Sequence, residues 1–328
     1  MKKVKLSTLI NIILAVSLLA VVGFGWFYLK KQSPIDKVAS VLDVTSTVPN
    51  PKYLYTIYGP DSKRLNHPYN LVVVNDRIYI TDTDNGRVII TDYNGKFIKE
   101  FGKSGSQGKL EDPIGITAVD NEIYVVDPAL KKIVVYDLNG NFKRYFKSDY
   151  ATSPVNIAYH DGKFYVLDTG AKTTVHIVSP EGKVLKQIGK RGGNPGEFYY
   201  PLSIKVDDQG QIWIADSNNN RIQVIDENGK SIKVLLGKEE NGTGGYAIPR
   251  GLAFDKKGYM YTCETLSNMV AITDEKGIVV KRFSYAEDKT VAGEPDSLEL
   301  PNSVFIDDNL RLYVVEYGNS RVVVYDLK

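Results

Sequence analysis

The chain has 328 residues, and its 41 Lys and Arg nearly balance its 39 Asp and Glu, which gives a formal net charge of +2 at pH 7. Without a basic surplus or a long run of Lys and Arg, the sequence argues against nucleic acid as a partner. A hydrophobic content of 43% with 24% charged residues is typical of a folded protein and excludes a wholly disordered chain.

The first stretch of note is the uncharged apolar segment 9–29, which reads LINIILAVSLLAVVGFGWFYL. As a helix it would be roughly 32 Å long, enough to cross the core of a bilayer. A basic tail, 1–8, precedes it, and the bulky residues WFYLKK lie where a cleaved signal peptide would need small ones. We therefore predict an uncleaved single-pass signal anchor with the remainder of the chain outside the cytoplasm. A cleaved signal peptide is the alternative.

A linker, 30–51, separates this segment from a domain, 52–328, in which one pattern occurs six times. Its clearest copy, Gln211–Lys230, reads QIWIADSNNNRIQVIDENGK and places a turn between two alternating apolar runs, as in an antiparallel hairpin. A proline precedes each copy, and successive prolines are 41 to 52 residues apart, the length of a four-stranded propeller blade. The prolines are Pro68, Pro113, Pro154, Pro201, Pro249 and Pro301.

The second strand of each repeat carries an aromatic residue three positions before an acid. A large flat side chain at one fixed place is what packing between neighbouring blades requires. The aromatics are Tyr79, Tyr124, Tyr165, Trp213, Tyr261 and Tyr313, and the acids are Asp82, Asp127, Asp168, Asp216, Glu264 and Glu316. In four repeats an Arg or Lys follows five positions after the acid, and we interpret the acids as structural partners of these bases and of the adjoining turns.

The last repeat ends at Lys328 without a fourth strand, whereas Tyr53–Gly59 reads as a fourth strand without a repeat. We predict that this N-terminal strand completes the sixth blade and closes the ring. The fold class is thus all-β, a six-bladed β-propeller of four-stranded antiparallel blades, preceded by one transmembrane helix.

The repeat pattern is P-x-G-I, then IWIAD-x-N-N-x-R-I-Q-V, then a glycine turn, and it resembles NHL repeats, as does the loop Gly189–Pro201, GKRGGNPGEFYYP. The resemblance covers 53–328 and implies a propeller with interaction roles in general. The third repeat lacks the Arg of the motif, and the fifth has Glu264 and Met269 in place of Asp and Arg. Fold alone does not specify chemistry, so the site has to be argued from its residues.

Neither a metal nor a catalytic centre is predicted. The three histidines, His67, His160 and His176, fall at different levels of the repeats, whereas a zinc site needs three or four converging ligands. No nucleophile motif is present, and the single cysteine, Cys263, lies in an apolar strand and is expected to be buried and inert. We also expect no cofactor.

The candidate ligand site is the axial mouth and the face formed by the loops that enter each first strand. Aromatic, amide and Arg side chains are common at recognition surfaces. The candidate residues are Asn70, Asn156, Tyr199, Tyr200, Arg250, Asn302 and His67. The second residue after each proline is small or an amide, which could leave room for a ligand. Crowding of six strands at the axis is the alternative explanation, and the one favoured.

These features favour a binding or scaffold module that presents its loop face to a protein, peptide or glycan. An enzyme is the main alternative, because some propellers similar to this one are lyases or lactonases with a metal on the axis. The resemblance implies axial histidines in the peptide-amidating lyase type and axial carboxylates and asparagine in the gluconolactonase type. The six axial positions of this chain contain no carboxylate. A sensor ectodomain that signals through a partner is a further alternative.

Overall fold

The computed structural model describes residues 48–105, 107–285 and 297–328. The strands form six antiparallel four-stranded sheets, the blades, whose strands we name a to d from the axis outward. Blade 1 consists of β2 (Pro68–Val74), β3 (Arg77–Asp82), β4 (Arg87–Asp92) and β5 (Phe97–Phe101). Blade 2 consists of β6 (Gly115–Val119), β7 (Glu122–Asp127), β8 (Lys132–Asp137) and β9 (Phe142–Phe146). Blade 3 consists of β10 (Pro154–His160), β11 (Lys163–Asp168), β12 (Thr174–Val178) and β13 (Val184–Ile188).

Blades 4 and 5 consist of β14 (Ser203–Val206), β15 (Ile212–Asp216), β16 (Arg221–Ile225) and β17 (Ser231–Leu235), and of β18 (Pro249–Phe254), β19 (Met260–Glu264), β20 (Met269–Thr273) and β21 (Val279–Phe283). Blade 6 consists of β22 (Pro301–Ile306), β23 (Arg311–Glu316), β24 (Arg321–Asp326) and the N-terminal strand β1 (Lys52–Ile57). The six-bladed, four-stranded architecture predicted from the repeats is confirmed.

The N-terminal strand closes the ring as predicted. β1 pairs antiparallel with β24, with Lys52 opposite Asp326 and Ile57 opposite Val322. Ile57 is 1% exposed and packs among residues of blades 6 and 1. Because β24 would otherwise be an open edge, this pairing satisfies its backbone groups and also joins the two ends of the array.

The hydrophobic core lies between blades and not within one central cluster. Tyr79 packs with side chains of blades 1 and 2, and Tyr313 with side chains of blades 6 and 1. Both rings are fully buried. The predicted role of the strand-b aromatics in inter-blade packing is therefore confirmed. Each inner strand also contacts the inner strand of the next blade, which closes the ring around the axis.

Antiparallel order places the connections at two ends. The loops that lead from strand d to the next strand a, and the turns between strands b and c, share one end, which we call the loop face. The hairpin turns a–b and c–d share the opposite end.

The predicted anchor, 9–29, and the tail, 1–8, lie outside the described residues, as does the linker before residue 48. Among the residues that the structure does describe, no helix has the length and apolar character needed to cross a bilayer.

Candidate functional site

The strand-b acids fasten the inter-blade loops. Asp82 accepts hydrogen bonds from the backbone N–H of Asn66 at 2.7 Å and from Arg87 Nε at 2.6 Å. Asp216 does the same with the N–H of Tyr199 at 2.7 Å and Arg221 Nε at 2.8 Å. Each acid thus holds the loop that enters its own blade, and this geometry agrees with the structural role expected for these carboxylates.

The bases that face these acids differ from the predicted set in three blades, and in blade 3 the unpredicted base is His176, whose Nε2 lies 3.4 Å from Asp168 Oδ2. Arg321 pairs with Glu316 as expected, but the Lys132 ammonium of blade 2 lies over the Tyr145 ring at 4.3 Å instead of on its acid. In blade 5, where Met269 replaces the motif Arg, Arg282 of β21 donates to Glu264 at 2.8 Å. The motif spacing missed Arg282, since this residue comes from strand d and lies opposite the acid only after the sheet has formed.

Burial and hydrogen bonding shift the pKa values of these acids in opposite directions. Burial raises the pKa of Asp82 and of Glu316, even though an arginine lies beside each of them. Burial also acts to raise the pKa of Asp168, but hydrogen bonds from His176 and from three backbone N–H groups outweigh it and lower the pKa to about 2. Asp168 of blade 3 is therefore ionised throughout the neutral range.

The side-chain amides of the axial residues Asn70 and Asn156 form hydrogen bonds with other residues of the propeller. Asn70 Oδ1 accepts from the N–H of Leu71 at 2.8 Å and contacts the Ser303 hydroxyl at 2.8 Å. Asn156 Nδ2 donates to the carbonyl of Leu202 at 3.1 Å. Ligand binding by Asn70 and Asn156 stays a prediction, and a ligand would have to compete with these bonds.

Crowding explains the small residues at the axis. A Cβ atom on Gly251 would lie 2.5 Å from the backbone nitrogen of Val304 and 2.6 Å from Ser303 Cα. On Gly115 it would lie 2.8 Å from the carbonyl oxygen of Val155. These neighbours are backbone atoms of the next blade and cannot move aside, so glycine is required for close approach of the strands. The favoured explanation from the sequence agrees with this geometry.

One level nearer the loop face, the residues that directly follow the prolines form a polar group. Arg250 Nη1 donates to Asn302 Oδ1, and Asn302 Nδ2 donates to the carbonyl of Tyr69 at 3.1 Å. Burial raises the pKa of Tyr69, while Arg250 and Asn302 act to lower it. Arg250 Nε is buried and has no hydrogen-bond partner among the described residues. Arg250 and Asn302, both predicted site residues, are thus in direct contact, and Tyr69 joins them.

His67 lies near the seam between blades 6 and 1 on the same face. Its ring stacks on the Tyr317 ring with centroids 4.3 Å apart, and its Nδ1 lies 2.5 Å from Asp84 Oδ2. The backbone of His67 has a positive φ of 50° just before Pro68. The Tyr317 ring and the Asp84 carboxylate therefore hold the half-buried imidazole in place.

Tyr199 and Tyr200 form a second aromatic group at blade 4. Their rings meet edge to face at 5.3 Å, and the Arg191 guanidinium lies over both at 5.0 and 5.7 Å. Tyr200 is 46% exposed. Sequence reasoning missed Leu266, which is 67% exposed in the b–c turn of blade 5. The signal was available, because the other repeats have Asp, Asn, Gly or Ala at this turn position.

The remaining features considered from the sequence are the single cysteine and a possible metal site. Cys263 is buried as expected, and burial raises the pKa of its thiol. Within the described ranges, no three His, Cys, Asp or Glu side chains lie together in a way that could hold a metal ion.

Comparison with known proteins bears on the fold and the repeats. A family model described as a 6-bladed beta-propeller (DUF5128) matches residues 57–156 and 147–291. The chain is 32% identical over 79 residues to human NHL repeat-containing protein 3, an alignment that covers 23% of each chain. It is 34% identical over 92 residues to peptidyl-glycine alpha-amidating monooxygenase A of Xenopus laevis, covering 26% of this chain and 9% of that protein. These alignments span about a quarter or less of the curated relatives' lengths.

A solved streptogramin B lyase superposes with a TM-score of 0.56 at 16% identity, over 85% of this chain and 87% of the lyase. At this identity the superposition shows a shared fold only. The family model extends over well more than half of the chain, and the curated relative carries the same repeat. The chain therefore belongs to the six-bladed β-propeller family, with repeats of the NHL type.

Proposed function

We propose that this chain is a membrane-tethered, extracytoplasmic binding module that receives a protein or peptide partner on its loop face. The observation that carries the proposal is the arrangement around Arg250. The partly buried Arg250 lies beside the axis, and exposed Tyr200 and Leu266 and half-buried His67 lie on the same face of the propeller. Arginine and aromatic side chains are enriched where interfaces concentrate their binding energy.

A partner with an acidic group fits this face better than a neutral glycan. Asn302 engages Nη1 of Arg250 and Nε is buried, which leaves Nη2 to meet a carboxylate. The exposed apolar surface of Leu266 and Tyr200 supplies contacts for flanking side chains of a polypeptide. A peptide or protein is therefore the partner class that we favour among those predicted from sequence.

The tether is proposed from the uncharged segment 9–29, which is long enough to span a bilayer. Carbonate washing of membranes from producing cells should leave the full chain in the pellet. N-terminal sequencing of the mature protein distinguishes the alternative, since a cleaved signal peptide would give a soluble form that begins near Trp26.

The partner class is tested by probing arrays of acidic, neutral and basic peptides with purified protein. We expect acidic peptides to be retained by the wild type and lost with Arg250→Gln. The matched control is Lys257→Gln, which removes one positive charge from an exposed hairpin turn on the opposite face. Equal loss in both variants would indicate a general charge effect and contradict the site. Metal analysis of the same preparation tests the alternative of a propeller enzyme with an axial metal.

A further inference from the structure

A cavity of about 270 Å³ opens at the loop-face end of blade 3, away from the axis. Its walls include Asp168 at the end of β11, Thr174 and His176 on β12, Gln187 on β13, and Tyr150 from the loop that enters β10. A volume below the roughly 300 Å³ at which small-molecule sites begin suits a single side-chain group.

In four other blades an arginine occupies the corresponding place. The strand register identifies the equivalents: Thr174 lies opposite Asp168 as Arg221 lies opposite Asp216, and Gln187 occupies the strand-d position of Arg282. In each of these blades the arginine Nε donates to the strand-b acid. The arginines are Arg87, Arg221, Arg282 and Arg321, at 2.6, 2.8, 2.8 and 2.5 Å.

Each of the same four arginines also donates a second, equivalent hydrogen bond. From Nη2 each donates to a loop carbonyl that lies four residues before the strand-a proline of its own blade. The acceptors are the carbonyls of Arg64, Glu197, Gly245 and Ser297. The residue four positions before Pro154 is Tyr150, which lines the blade 3 cavity. Blade 3 therefore retains the carboxylate and the loop position of this guanidinium site, with Thr174 and Gln187 where the arginine would originate.

The polar groups of the cavity are suited to accept hydrogen bonds from a cation. Asp168 is 5% exposed, and its nearest basic group, His176 Nε2, is 3.4 Å away, farther than any of the four arginine contacts. His176 Nε2 also lies 3.2 Å from the Thr174 hydroxyl. His176 Nδ1 and the Tyr150 hydroxyl are both buried without a hydrogen-bond partner in the described part of the chain. Buried polar atoms of this kind are rare and call for a partner.

We propose that the blade 3 cavity binds a guanidinium group, in the manner of the internal arginines of the other blades. The guanidinium would donate to Asp168 Oδ2 and to His176 Nδ1, whose lone pair is free when the ring proton is on Nε2. The Tyr150 hydroxyl can accept a further N–H. The exposed ammonium of Lys172 at the rim repels any cation to a similar degree. Guanidinium is favoured over a compact ammonium ion because it is weakly hydrated and its planar fork of N–H donors can reach several acceptors at once. The source is either an arginine side chain of a partner polypeptide or a small guanidino compound.

Titration of the purified full chain with N-methylguanidinium, followed by the NMR signals of His176, tests the proposal. We expect a saturable shift of these signals and none with N-methylurea, the neutral isostere. An equal response to N-methylurea, or no saturable response to N-methylguanidinium, would overturn the proposal. Titration with the blocked peptide Gly-Arg-Gly separates the sources: binding at least tenfold tighter than that of N-methylguanidinium assigns the site to a polypeptide, and equal or weaker binding assigns it to a small compound.

The variant Gln187→Arg provides an internal ligand, because position 187 is equivalent to that of Arg282. We expect it to raise the melting temperature and to weaken N-methylguanidinium binding at least tenfold. The control is Lys186→Arg, an exposed neighbour on the same strand that bonds Asn228 on the other side of the sheet. Unaltered binding in Gln187→Arg, or an equal loss in both variants, would place the guanidinium outside this cavity.

Discussion

The Ser320 hydroxyl accepts a hydrogen bond from the backbone N–H of His67 at 3.1 Å and so joins residues 253 positions apart. Ser320 has a left-handed backbone, with φ of 52°, at the end of the b–c turn of blade 6, and His67 directly precedes the strand-a proline of blade 1. The same bond occurs between Asn220 and Ile248 and between Asn268 and Leu300, at 2.9 and 2.8 Å. The seam of the ring thus uses the turn-to-loop bond that joins consecutive blades elsewhere.

Closure by β1 predicts a strong dependence on Ile57. Ile57→Ala removes a buried side chain between blades 6 and 1 and should lower the free energy of unfolding by about 3 kcal/mol. Leu54→Ala on the same strand, where the side chain is 40% exposed, should cost less than about 0.5 kcal/mol. Chemical denaturation measures both variants. Equal effects would mean that β1 contributes through backbone pairing alone.

The buried ion pair of blade 4, between Arg221 and Asp216, should stabilise the fold more than the Lys132 cation of blade 2 does. Arg221→Ala leaves the carboxylate of Asp216, which is fully buried, without its arginine and should cost about 3 kcal/mol. Lys132→Ala removes only a contact with the Tyr145 ring and should cost about 1 kcal/mol or less. Melting curves of the two variants at one pH test this. A larger loss for Lys132→Ala would contradict the structural role of the pair.

Asp168 predicts a specific loss of stability in acid. Its folded-state pKa of about 2 lies below the ordinary value of 3.8, so its contribution is present in full above about pH 4 and is lost as the pH falls toward 2. The difference between the two pKa values corresponds to about 2 kcal/mol in the free energy of unfolding. Asp168→Asn should therefore be less stable than the wild type at pH 6, and the gap should narrow at pH 3. Urea unfolding at the two pH values measures it, with exposed Asp208→Asn as control. A gap that is constant with pH would contradict the depressed pKa.

The close approach of inner strands predicts that Gly251→Ala is destabilising. Its Cβ would meet backbone atoms of blade 6 at 2.5 and 2.6 Å, and overpacking against such atoms costs about 1–3 kcal/mol or more. Gly193→Ala is the control, because its nearest neighbour lies 4.0 Å from the added Cβ. If Gly251→Ala melted with the wild type, the axial glycines would have to be explained by something other than crowding.

A substitution at Leu266 should weaken peptide binding without changing the stability of the fold. Leu266→Glu places a charge at a position that is 67% exposed on the loop face and should change the free energy of unfolding by less than about 0.5 kcal/mol. The repulsion of an acidic peptide should nevertheless weaken its binding about tenfold or more. Ile232→Glu, 50% exposed on the outer strand of blade 4, is the matched control and should bind normally. Normal binding by Leu266→Glu would exclude this part of the loop face from the interface.

The architecture was predictable from the sequence because each blade is a local unit. Alternation of side chains, the proline that starts strand a, and the aromatic of strand b all act within one repeat, and the unmatched strand at 53–59 had only one open edge to complete. The pairing of a strand-b acid with the base five positions later was predictable in blades 1, 4 and 6, as with Asp216 and Arg221. Blade 2 has the same spacing, yet its Lys132 lies over the Tyr145 ring.

Only the tertiary structure decided which groups meet across strands and blades. Arg282 reaches Glu264 from strand d, and Arg250 reaches Asn302 from the neighbouring blade, contacts that no sequence spacing specifies. The blade 3 cavity depends on the same kind of register, since Gln187 lies opposite His176 only once β12 and β13 have paired. Local pattern determines which strands form, because side-chain periodicity is short-range. The site depends on distances between strands, which are fixed only when the blades pack.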